Sequence, residues 1–474
     1  MTSSSSITKG REAVRLLRTV VALGAFALVL AGLIAAPPAN ALSGETRLHD
    51  PSLITVGSCT YAFSTGFEND PNNAAGAVMV YRTCDTPATT NWVKVGNTWA
   101  STPAWITQKL GKTPPNIWAP DINFFNGKYY LYYGASVWGT SSAVMGLLTA
   151  TDPAGPWTDE GMVTDVNYPI DPDVVRGGDN RLYVSWGSWT GGAVYMHVVD
   201  ETTGKLSTSD NNLWKIATGI EGVSIHRDGD YFYLYGSKGL CCSGTSSTYY
   251  TTVARSTSVT GPYTDMSGKS MVDGGGTVVL KGTYPRVAAG GGDVFTNGSS
   301  AFFGYHYYAA TNNGRESLDI RPLSYANGWP VLGAPLGKTE LALQVAHSSQ
   351  CLDVWGLSTS EAAPVNQGSC NGGANQRWTL QATGSSYKII NVNSGKCLAP
   401  KDASTSAGAV MVQVTCADVA VQKWNIASAT GGYNAISNAA SGLCLEVYGN
   451  NTGNGTAANL WWCNGGDNQR WLEG

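Results

Sequence analysis

Residues 221–237 read EGVSIHRDGDYFYLYGS: a carboxylate, a short apolar run, a DGD turn signal, then aromatic and aliphatic residues suited to the middle of a sheet. Locally this predicts two antiparallel strands joined by a tight turn. The first residue is the odd one, because acidic side chains seldom stand at the mouth of a buried strand unless they are paired or put to use. One instance decides nothing, but the pattern recurs. HDPSLITVGSCTYAFSTG (49–66) opens with Asp50, APDINFFNGKYYLYYGAS (119–136) with Asp121, IDPDVVRGGDNRLYVSWGS (170–188) with Asp171 and GGDVFTNGSSAFFGYHYY (291–308) with Asp293. Five hairpin units over residues 42–335, counting the one that opens with Glu221, predict sheets set radially, a five-bladed β-propeller.

A radial arrangement turns distance along the chain into proximity. If each opener starts the innermost strand of its blade, the acids meet at one central mouth. Carboxylates crowded there cannot all stay ionised, so their pKa values are driven apart and one becomes an acid while another remains a base. Glycoside hydrolysis needs such a pair.

A second repeat occupies the C-terminal part. Cys351 and Cys370, Cys397 and Cys416, and Cys444 and Cys463 are each 19 apart, and each pair is followed by Gln-x-Trp (Gln376 to Trp378, Gln422 to Trp424, Gln469 to Trp471). We expect these six cysteines in disulfides. Units that recur at 46 and 47 residues (Cys351, Cys397, Cys444) must stack to bury a shared core. Three of them imply a pseudo-threefold β-trefoil over 336–474, joined to the propeller by the segment 323–340. The expected fold is all-β, a propeller followed by a trefoil.

Composition agrees with an exported globular chain. Only 13% of the 474 residues are charged, against about a quarter in a typical protein, while 58 glycines and 16 tryptophans suit short strands and tight turns. The net charge of -4 and the lack of a basic patch argue against nucleic acid as a partner. Arg11, Arg15 and Arg18 precede the apolar run from Val20 to Ala36, and Ala39-Asn40-Ala41 follows it. We read residues 1–41 as an export signal cleaved after Ala41, leaving a secreted, extracellular chain with no membrane segment. An oxidising exterior lets the ten cysteines pair. Cys59 with Cys84, and the adjacent Cys241 and Cys242, are the further candidates; no catalytic thiol or GxSxG serine is expected.

The triple CL…C…QxW pattern resembles the ricin B-type lectins, also called family 13 carbohydrate-binding modules. The resemblance implies that each unit binds sugar through an acid two residues after its first cysteine, an aromatic platform two before its second and an Asn beside the Gln. The third unit fits best, with Glu446, Trp461, Asn459 and Asn468. The first keeps Asp353, Asn366 and Asn375 but has Gly368 at the platform, and the second has Ala399 and Val414 instead of the acid and the platform. A sugar wants a flat apolar face and a carboxylate that accepts its hydroxyls.

Over roughly residues 45–335, the motifs HDPS, WAPDI, IDPD and EG resemble the family 43 glycoside hydrolases, and GLCCSGTSSTYYTTVARS (239–256) is similar to a segment of the arabinan-degrading members. That resemblance implies a five-bladed propeller that hydrolyses with inversion. By motif, Asp50 is the general base, Glu221 the general acid and Asp171 the residue that orients Glu221 and raises its pKa; His49 and Trp118 line the sugar pocket. Inversion leaves room for a water, which places the two carboxyl groups roughly 6.5–9.5 Å apart. Asp121, Asp173 and Asp293 are read as structural. Many arabinan-cleaving members have a His in a GPGH-like stretch that helps hold a hydrated calcium ion at the axis. Here AAGGGDVF (288–295) puts Gly291 there, so no metal or other cofactor is expected to be required. His306 is read as a satisfied core residue, and no His/Cys cluster has zinc spacing.

The expected activity is that of an exo-1,5-α-L-arabinofuranosidase, acting as a monomer on plant cell-wall arabinan or arabino-oligosaccharides. The exo mode is inferred by analogy with members that carry a fused trefoil and lack the axial His. Alternatives are an endo-1,5-α-L-arabinanase, a β-xylosidase or exo-galactanase, and a polysaccharide-binding protein without catalysis.

Overall fold

Period-2 alternation broken by glycine turns folds residues 52–332 into five separate antiparallel sheets in which neighbours in sequence are neighbours in space, except that in the third Trp214–Ala217 returns to pair with Ala193–Asp200 past the short strand Lys205–Leu206. They span Ser52 to Asn97, Trp118 to Thr164, Asp173 to Ala217, Glu221 to Lys281 and Arg286 to Leu332. The computed structural model describes residues 42–473 apart from 68–69, 86–90, 283–284, 334, 337–339, 384–385, 430 and 432. The export signal expected over 1–41 lies outside the described residues. Among those residues, no helix is long and apolar enough to cross a membrane.

The hairpins read from the sequence are the inner halves of the blades. Glu221–Asp228 pairs with Tyr231–Lys238 as expected, but Tyr250–Ser256 and Thr277–Lys281 continue the same sheet outward. Each blade thus carries outer strands that the repeat did not reveal. The aromatic second strands are apolar on both faces because each face meets a different blade. Leu131 and Tyr133 pack with Tyr61, Phe63 and Val80 of the first blade, whereas Tyr130 and Tyr132 pack with Val184 and Trp186 of the third. Three further interblade cores complete the circle, the last joining Phe295, Leu318 and Ile320 to Ala62, Met79 and Tyr81.

At the axis a ring of hydrogen bonds passes from blade to blade. Ser52 Oγ accepts from the Ile122 amide (3.2 Å), Asp121 Oδ2 from Val174 (2.8 Å), Asp173 Oδ2 from Ile225 (3.1 Å), Ser224 Oγ from Val294 (3.3 Å) and Asp293 Oδ2 from Leu53 (3.0 Å). Each blade gives one acceptor and receives one donor. Here Asp121, Asp173 and Asp293 do the structural work expected of them. Asp293 also accepts from the hydroxyls of Ser52 and Ser224, both at 2.9 Å.

The C-terminal strands, from Leu341–Val345 to Arg470–Glu473, form the trefoil. Trp378, Trp424 and Trp471 are fully buried at its centre. Their indole N–H groups donate to the carbonyls of Leu352, Leu398 and Leu445 at 2.9, 3.1 and 3.0 Å, one equivalent bond per unit. The Gln of each Gln-x-Trp accepts from the amides of Asn371, Ala417 and Asn464, pinning the loop after the second cysteine. The expected pairs Cys351–Cys370, Cys397–Cys416 and Cys444–Cys463 all form, each enclosing a 19-residue separation. Closing a loop of this length is worth about 3 kcal/mol in the chain-entropy account.

Candidate active site

Each innermost strand is entered through a kink. Asp50 (φ 46), Ala119 (φ 38), Asp171 (φ 53), Gly222 (φ 56) and Gly291 (φ 54) occupy equivalent places in the five blades, all left-handed. For a residue with a Cβ such backbone costs about 1–3 kcal/mol and survives where the surroundings enforce it. The kinks also sort the acidic openers, which the sequence had aligned with one another. Asp50 and Asp171 lie on the kink itself, Glu221 one residue before it, and Asp121 and Asp293 two residues after it, on the axial ring with Asp173. The openers therefore stand on three levels, not one. Asp50, Asp171 and the ring acids line a narrow axial cavity of about 30 Å³.

Asp50 is held on every side. Its Oδ2 accepts from His49 Nδ1 (2.7 Å) and Thr65 Oγ1 (2.8 Å), and its amide donates to His306 Nδ1 (3.1 Å). Thr65 is itself fixed by the Ala119 amide at 2.8 Å. Burial alone would raise the Asp50 carboxyl, but the His49 charge and hydrogen bond, with Thr65, bring it down to about 2. Burial opposes a charge on His49, yet Asp50 and Tyr308 raise it well above its ordinary value, so both ring nitrogens donate. His49 Nε2 meets Tyr308 Oη at 2.9 Å. His49 is 8% exposed, so it braces Asp50 from behind.

Glu221 is tuned the other way. Burial is the main influence and, with the Asp50 charge, raises it to about 7 against hydrogen bonds from Tyr249 and Trp189. The Tyr249 hydroxyl donates to Oε1 at 3.0 Å. Asp171 Oδ2 accepts from the Gly222 amide at 2.8 Å, which fastens the backbone beside Glu221. Burial and the charges of Glu221 and Asp50 raise Asp171 well above the carboxylate range. Between about 2 and about 7, then, Asp50 is ionised and Glu221 protonated, a base and an acid sharing one mouth.

Trp118 is half-buried and meets the exposed ring of Trp138 edge-on at 6.0 Å. Tyr249, Thr65, Tyr308 and Trp189 were not singled out from sequence; Tyr249, Thr65 and Trp189 reach an acid directly and Tyr308 reaches Asp50 only through His49, and only their place near the end of an alternating run hints at them. His306 is fully buried, stacked on His49 at 3.8 Å. It is more than core, because it accepts from Asp50 and its Nε2 has no partner.

His49, Asp50 and His306 place three possible donor atoms within 4.8 Å of one another. Calcium, however, takes six to eight oxygen ligands. Here His49 is committed at both nitrogens and Asp50 Oδ2 is already taken by His49 and Thr65, which leaves too few free donors to surround that ion. These three residues do not by themselves fit that ion.

In the trefoil, Asn468 and Gln469 both donate to Glu446 Oε2, at 3.2 and 2.9 Å, and Asn459 pairs across the strands with Glu446. Trp461 is 39% exposed, whereas Asn459 is buried with its Oδ1 unpartnered. In the first unit Asn375 and Gln376 donate to the two oxygens of Asp353 at 2.9 and 2.6 Å. A Cβ at Gly368 would stand 2.8 Å from Asp353 Oδ2, so an aromatic platform there would force a shift.

The family model described as glycosyl hydrolases family 43 matches residues 44–330, and that of the ricin-type beta-trefoil lectin domain matches 339–471. The chain is 35% identical over 322 residues to an extracellular endo-alpha-(1->5)-L-arabinanase of Bacillus subtilis, covering 64% of this chain and 95% of the relative. It is 30% identical over 311 residues to an extracellular exo-alpha-(1->5)-L-arabinofuranosidase of Cellvibrio japonicus, covering 60% and 86%. Among solved structures, an alpha-L-arabinanase of Cellvibrio cellulosa complexed with arabinohexaose superposes with a TM-score of 0.56 at 29% identity, over 61% of this chain and 96% of that one.

Proposed function

The chain belongs to glycosyl hydrolases family 43, and from that premise we propose that it is a secreted, inverting exo-1,5-α-L-arabinofuranosidase releasing L-arabinofuranose from the ends of arabinan and arabino-oligosaccharides. Residues 42–335 are the catalytic domain and 336–474 the carbohydrate-binding one. The observation that carries the reading is the opposed tuning of two carboxyls from different blades, Glu221 at about 7 and Asp50 at about 2. Glu221 gives its proton to the leaving glycosidic oxygen as the bond to the anomeric carbon breaks. Asp50 takes a proton from the water that attacks the opposite face. Asp171 holds the Gly222 amide and so fixes Glu221. Arabinan as substrate is supported by the named activities of both relatives, and export by their description as extracellular.

The mode of attack is tested by the products of linear arabinan. Exo action yields arabinose alone from the first minutes; a ladder of oligomers would mean endo action, the activity in the name of the Bacillus subtilis relative. The trefoil tethers the polymer near the pocket and raises its local concentration. Its best site is the third unit, where both amide bonds fall on Oε2 of Glu446 beside the exposed Trp461. Trp461→Ala weakens binding to arabinan about tenfold, as loss of one stacking platform should; affinity electrophoresis with unchanged mobility would remove Trp461 from that role.

A further inference from the structure

Cys241 and Cys242, neighbours in sequence, are bonded to each other. Such a bond encloses almost no chain, so it adds little to the stability of the fold, since that gain grows with the length of the loop closed. What it fixes is local. Cys241 packs against the buried Tyr249, Ala288 and Tyr308. Cys242 is exposed and left-handed (φ 67), a conformation rare for a residue with a Cβ. In that conformation its amide donates to Tyr308 Oη at 2.7 Å, and its Sγ lies 4.0 Å from His49 Nε2.

Tyr308 Oη is the oxygen that also receives His49 Nε2, and the opposite ring nitrogen donates to Asp50. The contacts run in series from the disulfide to the Cys242 amide, Tyr308, His49 and the carboxylate. We propose that the vicinal disulfide Cys241–Cys242 is a positioning element for the reaction: by holding the Cys242 amide on Tyr308 it orients His49 and, through it, the Asp50 carboxylate. The inference rests on the reading of Asp50 as the base. The other groups facing Asp50 are Thr65 and His306, in contact, and the charges of Glu221 and Asp171 across the mouth.

The test is steady-state kinetics of the full chain on arabino-oligosaccharide across pH, for Cys241→Ser/Cys242→Ser, Tyr308→Phe and the two combined. The disulfide variant and Tyr308→Phe each lose between about 10- and 100-fold in kcat, the scale of a misplaced reacting group. KM stays within about twofold, because the loss lies in the transition state. The acidic limb of kcat/KM moves to higher pH as Asp50 loses the bond that holds it down, and the combined variant is no worse than either alone. Cys241→Ala/Cys242→Gly, in which glycine accepts the left-handed backbone without the covalent ring, recovers part of the loss. A folded disulfide variant with wild-type kcat and an unmoved limb, or losses that simply multiply in the combination, would overturn the inference. If that variant does not fold, an unmoved limb in Tyr308→Phe overturns it equally. Asp50→Ala separates the two readings: if it keeps its rate, the base assignment falls; if it is inactive while the limb stays put in the variants above, only the positioning role falls.

Discussion

Glu221→Gln lowers kcat on linear arabinan by about 10³-fold, within the range contributed by general acid–base groups, and removes the alkaline limb of the pH profile. The side chain keeps its size and its hydrogen bond from Tyr249, so the variant loses the transferable proton and little else. In the native chain burial keeps Glu221 protonated up to about 7, and above that pH the acid is spent. The sign follows: kcat/KM falls as pH rises through about 7 and recovers on returning below it. A nitrophenyl α-L-arabinofuranoside, whose leaving group departs without protonation, suffers a far smaller loss. Equal losses on both substrates, with the limb still present, would take the acid role from Glu221.

Asp50→Ala produces a loss of similar size, about 10³-fold, but of a different kind. A base that activates water is needed whatever group departs, so polymer and nitrophenyl substrate decline together. The deletion also leaves His49 with Tyr308 but without its carboxylate; having been raised mainly by Asp50, the imidazole loses much of its reason to stay protonated. Hydrolysis of both substrates near the wild-type rate would end the catalytic reading of the axis and leave a polysaccharide-binding protein.

Much of this was legible in the sequence, and for identifiable reasons. The inner hairpins could be read because a strand packed on both faces is aromatic or aliphatic along its length, as at Tyr129 to Tyr133, and because its turn needs Asn, Asp and Gly. The trefoil could be read because each Gln-x-Trp does the same work three times, with Trp378, Trp424 and Trp471 each tied to one carbonyl. The fourth strands escaped the pattern because some are half-exposed and weakly patterned, as in Thr158–Thr164, whereas third strands such as Ala143–Ala150 are buried but lack the acidic opener and turn that mark the repeat. The levels of the acids escaped too. Asp121 and Asp50 look alike in their motifs, and only the backbone at Ala119 shows that Asp121 lies two residues past the kink. Tyr308 and Tyr249 could not have been assigned, because a contact spanning 259 residues, such as His49 to Tyr308, leaves no local trace.

The axial hydrogen bonds carry a mechanical consequence. Among the described residues no strand is exchanged between the first and last sheets, so other bonds close the propeller. At the hub the clasp is the Asp293 side chain gripping the Leu53 amide, a stitch of the same kind as the other four, and farther out the Leu318 amide of the last sheet donates to the Thr46 carbonyl just ahead of the first. The seam where the propeller begins and ends is therefore sewn at the hub like every other join, and the reacting groups stand over a hub stitched at each of its five joins.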